Sequence, residues 1–210
     1  MTLDYEYYAI RQIPIVIFIY DNRKEGVDME RRIQPIEEKQ KREALDFVEK
    51  VFTEYQDEAE GRAVRALVEE IRRKKFYIPE LELVALDESG AIIGYVMFSG
   101  FSIEGRYEGE LLLLSPAAVR TDLQRQHISK DMIEYGFWQA EKMGYTAVLV
   151  EGNPKNYHAR GFQTAADFGI LPGRSVHLPH IECLMVKELQ AGALVRIKGT
   201  VEYDFYETLT

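Results

Sequence analysis

Cysteine is nearly missing from this 210-residue chain: Cys183 stands alone. No intramolecular disulfide and no cysteine-based zinc cluster can form, which fits a reducing compartment and makes the expected location cytoplasmic. A basic excess is missing too, since 26 Lys+Arg face 35 Asp+Glu for a formal net charge of −9. Nucleic-acid binding rests on a basic surface that neutralises phosphates, so no nucleic-acid partner is expected. An acidic exterior suits cationic small molecules or basic peptides, although most such charge only solubilises. Long apolar runs are also lacking. The stretch Ile13 to Tyr20 is interrupted by Pro14 and falls well short of the ~20 residues of a bilayer span, so no membrane segment is expected. The acidic start, Met1-Thr-Leu-Asp-Tyr-Glu6, has neither the basic leader nor the cleavage site of a signal peptide. Histidine is scarce. His177 and His180 could touch one metal, but Pro179 breaks the helix that usually presents such a pair and no cysteine joins them. A loop pair without metal is expected.

What is present is a foldable soluble composition, 46% hydrophobic and 29% charged, enough to bury a core and too little charged for wholesale disorder. At roughly 150 residues per domain, the length predicts one domain plus an appendage. Residues 1–28 stand apart as an N-terminal extension, and 29–210 read as the domain. Within the extension, Ile15-Val-Ile-Phe-Ile-Tyr20 is β-branched and aromatic and ends at Asp21-Asn22. It is expected to add a strand, on its own subunit or across a homodimer.

The domain alternates helices and strands. Ala44, Leu45, Val48, Val51, Phe52 and Tyr55 recur at helical spacing, and Val64, Leu67, Val68 and Ile71 do so again after Gly61. Pro79 ends that second pattern. Leu81 to Leu86 then reads as a strand turning at Asp87-Glu-Ser-Gly90 into a second strand from Ala91 to Phe98. Glu110 to Val119 is a strand with a continuous apolar run, interrupted by Pro116, which cannot donate to a ladder; a bulge or a lost neighbour is expected there. Ile128, Met132, Ile133, Phe137 and Ala140 mark a helix closed by Gly144, and Thr146 to Val150 the next strand. This run is a βαβ unit. A short helix near Pro154 and strands near Phe162 and from Ile181 to Leu189 complete an α+β fold with a mixed sheet.

In a βαβ unit the free amides at the helix N-terminus face the end of the preceding strand and make an anion site. Here that position is held by Gln124-Arg-Gln-His-Ile-Ser129. The longer stretch Val119 to Ser129 resembles the acetyl-CoA loop of the GNAT superfamily of N-acetyltransferases, whose pattern is Gln/Arg-x-x-Gly-x-Gly/Ala. Phe76-Tyr-Ile-Pro-Glu-Leu-Glu-Leu-Val-Ala85, Gly152-Asn-Pro-Lys-Asn-Tyr157, Gly161-Phe162, Gly192-Ala-Leu194 and Lys198-Gly-Thr-Val-Glu-Tyr203 resemble one bacterial branch of predicted acetyltransferases. The likeness covers about residues 29–203, with the motifs in the right order.

The resemblance implies a mostly antiparallel sheet, flanked by helices, whose central strands splay to hold the pantetheine arm of acetyl-CoA, used as cosubstrate without metal. Backbone groups near Ala118 and Val119 would contact the cofactor. The amides of Gln124, Arg125, Gln126, His127, Ile128 and Ser129 would cradle its phosphates, and Asn153 would join them. Tyr157, four residues before Gly161, matches the tyrosine that often protonates the departing thiolate. His127 and Ser129 depart from the pattern, for they stand at its two small-residue positions. A left-handed backbone at the first would cost roughly 1–2 kcal/mol with a side chain present. A degenerate fold that binds a ligand or partner without turnover is the rival expectation.

Acetyl transfer to an amine asks for a neutral nucleophile, and removing a proton from an alkylammonium costs about 4.6 kcal/mol at pH 7. Glu110, at the start of the split strand, and Glu151, at the end of the next, are the candidate bases, each competing with the role of a solvated strand end. The tetrahedral oxyanion needs a donor, for which a strand N–H released by splaying is already aimed. The acceptor is then an amine-bearing small molecule or peptide, attacked directly in a ternary complex. Cys183 lacks an activating motif and reads as a buried thiol. Phe137 and Trp138 read as core. Arg72-Arg-Lys-Lys75 sits at a helix C-terminus where cations counter the macrodipole, and no partner is expected for it.

Overall fold

A computed structural model describes residues 31–208. The expected strand between Ile13 and Tyr20, and the homodimer built on it, lie outside the described residues.

Seven strands form the main sheet, in the order β1 (Arg32–Pro35), β2 (Glu82–Leu86), β3 (Ile92–Ile103), β4 (Arg106–Val119), β5 (Ala147–Glu151), β8 (Leu184–Glu188) and β6 (Gln163–Thr164). Every neighbouring pair is antiparallel except β4 and β5. The α+β class and the mixed sheet are as the sequence implied. Alternation along each strand buries both faces. Val84, Tyr95, Met97, Leu111, Leu113, Leu149 and Val186 join one cluster with α1 (Lys41–Tyr55) and α2 (Glu58–Arg73). Leu83, Val96, Phe98, Leu112, Leu114, Val148 and Met185 join the other with α3 (Ile128–Lys142). Period-two alternation of buried positions under helices on both faces is why these strands read as continuous apolar runs.

Several boundaries differ from the sequence expectation. The second helix starts at Glu58, before Gly61, because Asp57 caps it by accepting from the amides of Ala59 (2.8 Å) and Glu60 (2.9 Å). Gly61 lies inside that helix, where a Cβ would come within 2.6 Å of the Glu49 carbonyl on α1. The helix ends at Arg73 rather than at Pro79, which opens a 3₁₀ turn before β2. The last strand is shorter than expected, since Ile181–Cys183 is a 3₁₀ turn and buried Cys183 ends it. Unforeseen in the sequence are β1 and a two-stranded parallel sheet of β7 (Ile170–Pro172) and β9 (Gly199–Val201). Each is three or four residues long, too short for a periodicity to register.

Arg72 does more than counter the helix dipole, for it reaches into the sheet. Its guanidinium pairs with Glu82, whose side chain is fully buried. The Tyr77 and Tyr95 hydroxyls also donate to that carboxylate at 2.6 and 2.7 Å. Among the described residues no helix is long and apolar enough to cross a membrane.

Candidate active site

The site begins where the sheet comes apart. β4 and β5 pair only from Leu111 to Leu113 against Ala147 to Leu149. Beyond that, β4 stays with β3 as far as Val119 opposite Gly94, and β5 stays with β8 as far as Glu151 opposite Leu184. The ladder breaks around Pro116, as its missing N–H required: Ser115 and Pro116 together face Met97 alone, the two-against-one count of a bulge. A bulge bends its strand, and β4 here leaves β5. Ala118 and Val119 lie on this diverging segment, paired to β3 and with no β5 residue opposite them.

Between the parted strands lies a cavity of about 220 Å³. β4 contributes Leu113, Leu114 and Ser115, β5 contributes Glu151, and the C-terminal region contributes Ser175, His177 and Tyr203. That region is held by Glu202, which accepts from the amides of Arg174 (3.0 Å) and Ser175 (2.9 Å) and from the Ser175 hydroxyl (2.5 Å). The Ser175 Oγ in turn accepts from the Tyr203 amide at 2.7 Å.

Glu151 is the unusual group in this cavity. Its Oε1 is buried and has no hydrogen-bond partner among the described residues. Burial raises its pKa above the ordinary carboxylate range, against the opposing hydrogen bond from Tyr203 and the charge of His177. Tyr203, held on Phe101 at 6.0 Å between ring centres, has its own pKa raised, first by burial and then by that carboxylate. Glu110 is not brought to the cavity. It precedes the paired segment that Glu151 follows, a separation of roughly 16 Å along the strands, and its carboxylate pairs with Arg196.

Tyr157 stands on α4 (Pro154–His158), a single turn started by Pro154 and capped by Asn153, whose Oδ1 accepts from the Lys155 amide at 3.0 Å. Its ring lies against Gly152, the residue after Glu151, where a Cβ would come within 2.4 Å of Cε2. Only glycine lets the tyrosine approach the end of β5 this closely. Phe162 supports the ring edge-on at 5.5 Å. Burial raises the phenol pKa, with Arg160 opposing.

The loop 124–129 enters α3 through a left-handed turn. His127 caps the helix at φ 62° and ψ 6°, and Arg125 is also left-handed at φ 64°. A left-handed residue is one that glycine serves without strain, and here a histidine holds it. Arg31 braces it from outside, donating to the Gln126 carbonyl at 2.8 Å and pairing with Asp131 at 2.6 Å. Burial raises the Asp131 pKa and Arg31 opposes it; the pairing offsets a carboxylate that would otherwise repel an anion at the helix start. Gln124, Arg125, Gln126 and His127 are exposed, Ile128 is buried under the loop, and the Ser129 Oγ accepts from Arg160 at 2.8 Å. α3 sits close to the sheet at Gly94, where a Cβ would lie 2.7 Å from the Met132 sulfur, and this sets its N-terminus beside the parted strands.

The structure thus places Glu151 at the cavity, Tyr157 beside the end of the same strand, and the loop on the other arm of the split. Missed in the sequence were Ser175, His177 and Tyr203 as cavity residues, and Arg31 and Arg160 at the loop. Tyr203 closes a motif that was visible and Arg160 adjoins another; nothing local marked Ser175 or Arg31. Among the described residues no group of three or more acidic, histidine or cysteine side chains is placed to hold a metal.

No protein-family model matches the chain. Among curated proteins, the uncharacterized N-acetyltransferase YhbS of Escherichia coli K12 is 31% identical over 147 residues, which is 69% of this chain and 83% of that protein. The crystal structure of Escherichia coli YhbS in complex with CoA superposes with a TM-score of 0.70 at 24% identity, covering 87% of this chain and 93% of that one. A GNAT family acetyltransferase from Brucella melitensis, in complex with acetyl-CoA, gives 0.62 at 22% identity, covering 83% and 96%. Identity and coverage of this order, on a sheet that parts at the same kind of break the sequence required, make the chain a member of the GNAT family of N-acetyltransferases.

Proposed function

We propose that this protein transfers the acetyl group of acetyl-CoA to a primary amine of a small molecule or peptide, by direct attack in a ternary complex. The observation that carries the proposal is the buried, unpartnered Oε1 of Glu151 in the cavity between the parted strands. A carboxylate with an unfilled acceptor site, short of water, is a base for an ammonium that must shed its proton before it can attack. Tyr203 lines the same cavity, and its hydroxyl opposes the effect of burial on the carboxyl. The acetyl-CoA complex of the Brucella melitensis neighbour and the CoA complex of YhbS support the cosubstrate.

The pantetheine arm runs along the edge of β4 that β5 has left, with backbone groups near Ala118 and Val119 as its partners and Asn153 on the facing side. The pyrophosphate rests on the amides of residues 124–129, at the positive end of α3. A strand N–H on the freed edge of β4 takes the oxyanion without reorganisation. The amine nitrogen bonds to the thioester carbon, the C–S bond breaks, and Tyr157 gives its proton to the leaving sulfur. A thiol of pKa near 8.5 lies below a phenol near 10, so the transfer runs slightly uphill; burial keeps the proton on Tyr157 until the C–S bond breaks and adds to that cost.

The test is a thiol-release screen of amines and basic peptides with acetyl-CoA, followed by Glu151→Gln on the best acceptor. We expect turnover to fall by about 10²-fold or more, with CoA affinity unchanged. The acid limb of the wild-type pH profile should lie above the ordinary carboxylate range and disappear in the variant. Full activity in Glu151→Gln removes Glu151 as base, and absence of CoA binding to the wild type removes the acetyl-transfer reading.

A further inference from the structure

Arg160 carries a positive charge that nothing described in the protein neutralises. Its Nη2 donates to the Ser129 Oγ at 2.8 Å, and its Nη1 donates to the Asn156 carbonyl. Its Nε is buried and has no hydrogen-bond partner, and no carboxylate among the described residues pairs with it. The guanidinium also lies 5.8 Å from the Tyr157 ring centre. An arginine held by two neutral acceptors, with its third nitrogen hidden from water and unpaired, is left short of an anion.

The location says which anion. Ser129 is the second residue of α3, so the group that Arg160 touches stands among the amides that have no partner within the helix. Because Ser129 Oγ accepts from Arg160, its own hydroxyl hydrogen is free to be donated onward. The loop therefore presents, side by side, helix amides, a serine hydroxyl and a guanidinium fixed by Asn156 and Tyr157. Ser129 occupies a position where the family pattern has glycine or alanine, and it is the residue that lets Arg160 reach the helix start. Side chain and charge come as a pair.

Resting on the acetyl-CoA reading above, we propose that Arg160, acting with the Ser129 hydroxyl, binds the pyrophosphate of acetyl-CoA at the start of α3. The phosphate site of this chain is then partly built from side chains, and not from loop amides alone. A guanidinium held in place before the ligand arrives loses little entropy on binding.

The experiment is calorimetric binding of CoA, 3′-dephospho-CoA and pantetheine to the full chain and to its Arg160→Ala and Arg160→Lys variants, at two salt concentrations. For Arg160→Ala we expect CoA and 3′-dephospho-CoA to weaken by about 10- to 100-fold, as befits a lost charge-assisted hydrogen bond. Pantetheine should weaken at least tenfold less, and the salt dependence of CoA binding should become shallower. Arg160→Lys should recover part of the loss by restoring the charge. Equal weakening of all three ligands would make Arg160 a structural residue and overturn the proposal. A loss seen with CoA and not with 3′-dephospho-CoA would move the contact to the 3′-phosphate and overturn the pyrophosphate assignment. Unchanged CoA affinity in Arg160→Ala, with the wild type binding CoA, sinks this proposal alone; a wild type that binds none of the three sinks the acetyl-CoA reading with it. If Arg160→Ala does not fold, Arg160→Lys decides: CoA affinity equal to the wild type at both salt concentrations refutes the fork geometry, and a several-fold loss confined to the phosphorylated ligands supports it.

Discussion

Two glutamates are drawn into the same sheet, and they are treated in opposite ways. Glu82, on β2 in the closed half, is fully buried and accepts from Arg72, Tyr77 and Tyr95. Glu151, at the end of β5 in the open half, keeps one buried oxygen with no partner. The closed half keeps its pairing, with β2 and β3 together from Glu82–Met97 to Leu86–Ile92 across one register shift after Ala85; the open half loses its ladder after Leu113. A carboxylate whose acceptors are filled belongs to the architecture, because the donors that satisfy it leave nothing for a ligand. One that is buried and unfilled costs stability, and it is tolerated where a substrate proton is its use.

The strongest way to break this contrast is Glu82→Gln. It strips the counter-charge from Arg72, which is itself only 12% exposed, and removing one member of a buried ion pair costs about 3–5 kcal/mol. Urea unfolding should show that loss, with the midpoint shifted and the slope unchanged; a loss under about 1 kcal/mol would mean that Glu82 is no more structural than Glu151. The next effect is on rate. Tyr157→Phe should lower turnover about 10²-fold with CoA affinity nearly intact, since a general acid acts only in the transition state. A silent substitution would take Tyr157 out of the mechanism and leave the open half with its base alone.

A smaller effect sharpens the contrast by its sign. Burial raises the Glu151 pKa in the folded protein. Between the ordinary carboxylate range and that raised value, the folded state holds a proton that the unfolded state has released. Stability from this group is therefore complete at low pH and is lost as pH rises through the folded pKa. Glu151→Gln should abolish that decline and match or exceed the wild type at pH 7 by about 1 kcal/mol, read from thermal melts between pH 4 and 8. A destabilised Glu151→Gln would show that Glu151 is as structural as Glu82. His127→Gly is comparable in size, relieving a left-handed side chain for a gain of about 1 kcal/mol. CoA affinity should be equal or tighter; weaker binding would make the imidazole a ligand.

Much of the fold was legible in the residues. The helix over 128–142 was marked by its apolar period and by Gly144, whose φ of 93° needs a glycine. The break in β4 followed from Pro116, because a missing N–H is a local fact that no tertiary context restores. Glu151 was legible as a candidate through its position on a strand end, and Tyr157 through the family resemblance, which marks the residue four before Gly161. Glu110 drew the same attention and was placed elsewhere: a strand has two ends, and only pairing with β5 decides which of them opens.

By itself, then, the sequence determined the features that a few neighbouring residues dictate: the amphipathic helices, the apolar strands buried on both faces, the strand that cannot keep its ladder, and the loop ahead of α3. Tertiary structure alone decided what depends on residues far apart in the chain. Arg72 meets Glu82 across ten positions, Arg160 meets Ser129 across 31, and Arg31 meets Asp131 across 100. The physical reason is that a charge is satisfied by distance in space and a period is satisfied by distance along the chain, so the partners that separate a structural carboxylate from a reactive one become visible only when the sheet has formed.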